Sequence, residues 1–281
     1  MNFSLRKDKQ DKKEAEYVIF KSIKGCPPPD KLSCLTRNFG AFKNLRGLFQ
    51  GFTLAEVLVT LGIIGVVSAM TVPSLMQNYQ RQSYVTQLNK FYNELSQAIV
   101  QYVTEQNAIN IKEAGLTTTV NSAEDFIKKH FKVVTSCGNN FSPCMSESYK
   151  KLSGQSISLS RVGGNSARKC FTLASGAGLC TFRGQGNVLS QIAIDINAQK
   201  GPNIAGRDLF LLYIYSNGMV DDLKTSCNDE DDKNCISWDG NNTTLTKDER
   251  EDMFNKACSS SGEGFHGCFG KILNDNWQMT Y

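Results

Sequence analysis

The chain has 281 residues, of which 31 are Lys or Arg and 27 are Asp or Glu, and its formal charge is +4. The charge is uneven: residues 1–51 hold 11 basic and 5 acidic side chains, a net of +6, leaving 20 basic and 22 acidic for residues 52–281, a net of −2. The surplus belongs to the N-terminal segment, so the overall basic balance is no argument for nucleic-acid binding by the remainder.

Next comes an apolar run, residues 52–72, in which Glu56 is the one charged side chain. Twenty-one residues of helix rise about 30 Å, the thickness of a bilayer's hydrocarbon core. Basic residues before a first hydrophobic segment hold that side in the cytoplasm and place the downstream chain on the far face. A secretory signal would have a shorter apolar region ending at a small-residue cleavage site, whereas here the small residue, Gly51, precedes the run. A carboxylate inside a membrane costs at least ~2.5 kcal/mol on insertion scales, so Glu56 calls for a partner or a function.

Gly51-Phe52-Thr53-Leu54-Ala55-Glu56, the apolar continuation and Pro73 together resemble the processing site and N-terminal helix of type IV pilins and type II secretion pseudopilins. The resemblance implies cleavage after Gly51 by prepilin peptidase and N-methylation of Phe52. It further implies assembly with other pilin or pseudopilin subunits, with Glu56 pairing to the Phe52 ammonium of a neighbour, and Pro73 at the position where the family commonly has proline. Three segments are expected: a cytoplasmic leader (1–51), a transmembrane and stem helix (52–107), and an extracytoplasmic head (108–281). The 51-residue leader is long for the family. Gly62, Gly65, Ser68 and Ala69 would let helix backbones approach closely. Pro73 lacks a backbone donor, and a kink or break is expected near Val72.

Beyond Pro73 the pattern turns amphipathic, with Tyr84, Val85, Leu88, Phe91, Leu95, Ala98, Ile99, Tyr102 and Val103 at steps of three and four. This predicts a helix to about Asn107 whose stripe is buried against the head. A short helix is expected from Ser122, as its cap, through Phe131. Strands are expected at 155–160, 169–173, 179–182, 189–196 and 209–215, with Asn217-Gly218 turning the chain into a return strand at Met219 and Val220. Thr246-Lys247-Asp248-Glu249 has capping-box spacing and introduces a helix to about Ala257. The fold class is α+β and pilin-like: a long N-terminal helix packed on a small antiparallel sheet, with disulfide-pinned loops.

Ten cysteines are present. Cys26 and Cys34 lie in the leader, and the other eight fall as near neighbours: Cys137 and Cys144, Cys170 and Cys180, Cys227 and Cys235, Cys258 and Cys268. In an exported domain this suggests four local disulfides among the 105 connectivities that eight cysteines allow, pinning surface loops rather than tying the sheet. Short loops of ~7 to 10 residues would each contribute roughly 2 to 3 kcal/mol. Zinc is disfavoured, since no Cys-x₂₋₄-Cys pair exists and His130 and His266 are 136 residues apart.

The loop after strand 189–196 offers Asp195, Asn197, Asn203 and Asp208 as oxygen ligands for calcium. Some pseudopilins bind calcium in a C-terminal loop. The competing reading is a turn in which Asn and Asp satisfy their own backbone. No other cofactor is expected. Phosphate-binding, dinucleotide, G-x-S-x-G and H-E-x-x-H signatures are all missing, so the chain reads as a non-enzyme. Lys128, Lys129, Lys132, Lys150, Lys151, Arg168 and Lys169 read as solvated surface.

The chain therefore reads as a structural subunit, minor by the size of its head, of a type II secretion pseudopilus or type IV pilus-like filament anchored in the inner membrane. The alternative is a minor pilin whose head is an adhesive, substrate-binding or DNA-binding module. A secreted substrate or surface ligand would then be its further partner.

Overall fold

The computed structural model describes residues 53–162, 167–223, 245–261 and 264–281. The leader 1–51, Phe52, Cys227, Cys235 and the acidic cluster 229–232 lie outside the described residues. The chain divides at Met70/Thr71 into two compact units.

Helix α1 runs without interruption over Leu54–Glu105, with Pro73 inside it. The break that a proline invites near Val72 does not occur. Every residue from 53 to 80 is exposed, and the helix contains a window long and apolar enough to cross a membrane. Two hydroxyls within the uncharged stretch are satisfied locally: Thr60 donates to the Val57 carbonyl and Ser74 to that of Thr71, both at 3.0 Å. Such bonds remove the cost of a free hydroxyl in an apolar medium.

In the second unit the apolar stripe of α1 is buried, with Val85, Leu88, Phe91, Leu95, Ala98 and Ile99 facing the core. Tyr84, Tyr102 and Val103 pack against its margin. Helix α2, Val120–His130, docks beside it, with Tyr102 edge-on to Phe126 at 5.4 Å and Phe91 5.7 Å from Phe131. Its cap is Thr119, three residues before the serine expected from sequence. Thr119 accepts from the Ser122 N–H, while the Ser122 hydroxyl donates back to the carbonyls of Thr117 and Thr119. The serine therefore tightens a turn that already contains the buried Val120.

Eight strands are present among the described residues: β1 Val133–Gly138, β2 Tyr149–Lys150, β3 Ser156–Ile157, β4 Arg168–Leu173, β5 Gly178–Gln185, β6 Val188–Asp195, β7 Leu209–Tyr215 and β8 Val220–Asp221. Six form one antiparallel sheet in the order β1-β4-β5-β6-β7-β8, and β2 and β3 pair separately. Side chains alternate faces along a strand, yet every residue of β6 and β7 is buried, so both faces of the sheet centre are covered. The strand expected at 155–160 is cut to two residues. Ser158 accepts from the Ser160 N–H and turns the chain into a 3₁₀ segment, Leu159–Arg161. Strand β1 has no counterpart among the strands expected from sequence; it is short, lies at the sheet edge and is bulged twice against β4.

The C-terminal part contributes α3, Lys247–Met253, which continues as a π turn over Phe254–Cys258, and α4, Cys268–Asn274. The Thr246–Glu249 capping box forms in both directions. Asp222, the residue after β8, fastens this part to the sheet. Its Oδ1 accepts from the N–H groups of Leu223 at 2.8 Å and Gly267 at 2.9 Å, and its Oδ2 from Gly270 at 2.7 Å. Gly267 is required there, because its φ is +86° and a Cβ would lie 2.5 Å from the Met253 backbone. Arg250 completes the joint with a two-pronged contact to Asp221, at 3.0 and 2.6 Å.

Asp222→Ala leaves three buried N–H groups without their acceptor and should cost about 3 kcal/mol of stability. Urea unfolding of the variant measures this, and a loss under about 1 kcal/mol would show that the joint is held by other contacts.

Candidate functional site

Two groups of residues carry chemistry. The first opens α1. Thr53 is its cap: the Thr53 N–H and hydroxyl donate to Glu56 Oε2 at 2.8 and 2.9 Å, and the Glu56 N–H donates to Thr53 Oγ1 at 3.2 Å. The first helical bond, Val57 N–H to the Thr53 carbonyl, closes the turn at 3.2 Å. This reciprocal pair is a capping box, and it holds the carboxylate at the positive end of the helix dipole. Among the described residues Glu56 Oε1 accepts no hydrogen bond. Glu56 is thus oriented by one oxygen and available through the other. Pro73 lies within the same helix, further along the chain. Gly51 and Phe52 lie outside the described residues.

The T-x-x-E spacing that marks Thr246 and Glu249 also marks Thr53 and Glu56. It is the signal that finds Thr53, although the length of the apolar run around it is the louder feature of the sequence.

The second group is the loop joining β6 to β7, which brings Asp195, Asn197, Asn203 and Asp208 together. Tyr149 Oη donates to Asp195 Oδ2 at 2.6 Å, and the Asn197 N–H donates to Asp195 Oδ1 at 3.1 Å. Asp208 accepts from the N–H groups of Asn203 and Ile204, both at 2.7 Å. All four carboxylate oxygens are thereby engaged by donors of the protein itself. Asn197 Nδ2 reaches the Gly201 carbonyl at 3.0 Å, while the buried Oδ1 atoms of Asn197 and Asn203 have no partner. Among the described residues no group of three or more His, Cys, Asp or Glu is arranged to hold a metal. The donor set is that of a loop clasp, and calcium would first have to displace its N–H and O–H groups.

Three disulfides are formed among the described residues, Cys137–Cys144, Cys170–Cys180 and Cys258–Cys268, with Cα separations of 6.1, 4.1 and 5.3 Å. The first ties the end of β1 to the following loop, and the third ties the π turn to the first residue of α4. The second departs from the picture of loop pins. Cys170 and Cys180 stand directly opposite each other in β4 and β5 and are fully buried, because a tight turn brings the strands into that register. It joins two strands inside the sheet. Lys151, expected on the surface, is also buried.

Burial sets the electrostatics of the head. Desolvation raises Asp195 to about 7, Asp222 to about 6, and Asp208 above the usual carboxylate range. His266, whose Nδ1 meets the Tyr213 hydroxyl, is pushed down to about 4 by desolvation and then by the Lys151 charge.

Residues 48–72 match the family model described as the prokaryotic N-terminal methylation motif. The chain carries the type IV pilin and pseudopilin signature. That signature, the long apolar helix and the antiparallel sheet with its disulfides agree with an α+β pilin-like fold. No curated protein and no solved structure matches the chain.

A carboxyl raised in the folded state binds protons that the unfolded chain does not, so its stabilising effect is full below about pH 4 and fades as pH rises through the folded value. For Asp195 that window is about pH 4 to 7. His266 acts oppositely, since its neutral folded form favours the native state as pH rises from about 4 towards 6.5. Comparing the protein with Asp195→Asn isolates the first effect. The variant should lack a downward slope of at most about 1.4 kcal/mol per pH unit across that window. Denaturant midpoints from pH 4.5 to 8 measure it, and parallel curves would contradict the assignment.

Proposed function

We propose that the chain is a subunit, present in few copies, of a type II secretion pseudopilus or closely related type IV filament. In this reading prepilin peptidase cleaves after Gly51, and the new N-terminus, Phe52, is methylated. The product stays in the inner membrane through α1 with its head on the far side. The observation that carries the reading is Glu56. It stands in the register of the methylation motif, at the start of an exposed stretch of α1 that is otherwise uncharged up to Arg81, with one carboxylate oxygen held by Thr53 and the other open.

An ammonium created at Phe52 of one subunit is a chemically matched partner for the open oxygen of another. Two opposite charges meeting in a medium of low dielectric offset each other's desolvation, and each is costly alone. Leaving the membrane for the filament would therefore be coupled to a specific stagger between neighbours. The head, residues 108–281, is large for a subunit that must repeat along a filament, which favours a minor position. No enzymatic step is assigned to it.

Cleavage and assembly should separate genetically. Glu56→Ala is expected to be processed at the normal rate yet be missing from purified filaments, whereas Gly51→Ala accumulates the uncleaved chain. Immunoblots of membrane and filament fractions distinguish the two. Filaments containing Glu56→Ala at wild-type stoichiometry would overturn the pairing.

A further inference from the structure

Between Glu56 and Arg81 α1 carries no charged side chain, a stretch of 24 residues. As helix it rises about 36 Å, the hydrocarbon core of a bilayer plus part of a headgroup layer. Arg81 is thus the first charge beyond the span, and Tyr79, 72% exposed, lies just before it, as aromatic residues do at membrane interfaces.

The loop between β6 and β7 is held at the same level of the helix. Asn197 Nδ2 donates to Tyr84 Oη at 3.4 Å, one turn from Arg81, and Tyr281 Oη donates to the Gly206 carbonyl at 2.9 Å, beside Arg207. The Ile196 N–H donates to the Asp208 carbonyl at 2.9 Å, which sets Arg207, the neighbour of Asp208, close to Asn197, the neighbour of Ile196, and so on the side of the loop that meets Tyr84. Lys200 stands exposed at the tip of the loop.

These three cations differ from many others in the head. Lys128, Lys129, Lys169, Arg250, Lys256 and Lys271 each pair with a carboxylate. Arg81, Lys200 and Arg207 pair with none among the described residues, and Arg81 Nε is buried without an acceptor. The carboxylates of the same loop, Asp195 and Asp208, are buried and engaged by N–H and O–H donors, so they do not neutralise the rim.

We propose that Arg81, Lys200 and Arg207 form a basic rim that binds the anionic phospholipid headgroups of the leaflet from which α1 emerges. The proposal rests on the membrane-anchored reading above and adds a lipid preference to it. Basic residues beside an anionic leaflet are attracted within about a Debye length, and three of them would strengthen head–membrane contact roughly 100-fold. Before assembly the head would be held down on the membrane. Incorporation into a filament would have to release it.

The test uses the full chain in nanodiscs of phosphatidylcholine alone and of phosphatidylcholine with about one-third phosphatidylglycerol, with amide exchange of residues 197–207 as readout. Exchange is expected to slow at least several-fold in the anionic discs and to recover at high salt. It should recover fully in Arg81→Gln/Lys200→Gln/Arg207→Gln and partly in Lys200→Gln, whose side chain is exposed. Equal exchange of the inserted protein in both discs overturns the rim, as does unchanged protection in the triple variant. Equal protection by soluble glycerophosphate in neutral discs would assign the cations to a free anion and overturn the membrane partner. A chain that fails to enter either disc refutes the anchored reading itself, a result distinguishable because the protein then elutes without lipid.

Discussion

The molecule depends on the burial of one helical stripe. Val85, Leu88, Phe91, Leu95, Ala98 and Ile99 occupy a single face of α1, and that face has no shelter except the sheet and the elements packed with it. At roughly 1.5 to 3 kcal/mol for each large apolar side chain removed from water, the stripe is the main reason the second half of α1 and the head form one body. The first half of the same helix has the opposite character. Its apolar side chains are exposed throughout, Thr60 and Ser74 bond to its own backbone, and its single carboxylate is held by Thr53. One continuous helix thus presents a surface suited to lipid or to other helices and a surface already satisfied by its own domain.

Around that core the head relies on buried carboxylates that accept hydrogen bonds from N–H groups. Asp222 gathers donors from the residue that follows it, from the segment before α4 and from α4 itself, and Asp208 does the same within its loop. An acceptor of this kind fixes several backbone segments with one side chain, and its cost appears as a raised pKa. The disulfides act on the same regions covalently. One closes β4 on β5, another closes the π turn on α4, and each restricts the unfolded chain in a domain expected to meet an oxidising compartment.

The parts legible in the sequence are those with a local period or a local signal. The stripe of α1 is written in steps of three and four, and β7 in the continuous apolar run Leu209–Tyr215. The turn at Asn217-Gly218 and the capping box at Thr246 declare themselves within four residues. The hidden parts depend on partners distant in sequence. The donors to Asp222 at Gly267 and Gly270 lie 45 and 48 residues away, and nothing local marks that aspartate as a clasp. Strand β1 exists because β4 is present to pair with it. The Asp195–Asp208 loop shows the ambiguity most directly, since oxygen-rich loops that bind cations and loops that bind their own N–H groups share a composition, and only the positions of the donors separate them.

The proposed role of Glu56 turns on the bond between Gly51 and Phe52. The proposed pairing needs an ammonium at Phe52, which exists only if that bond is cut. Intact mass and N-terminal sequencing of the protein isolated from its native membrane test this directly. The expected product is a chain beginning at N-methylated Phe52 and lacking residues 1–51; a membrane protein that still carries those residues would contradict the pairing.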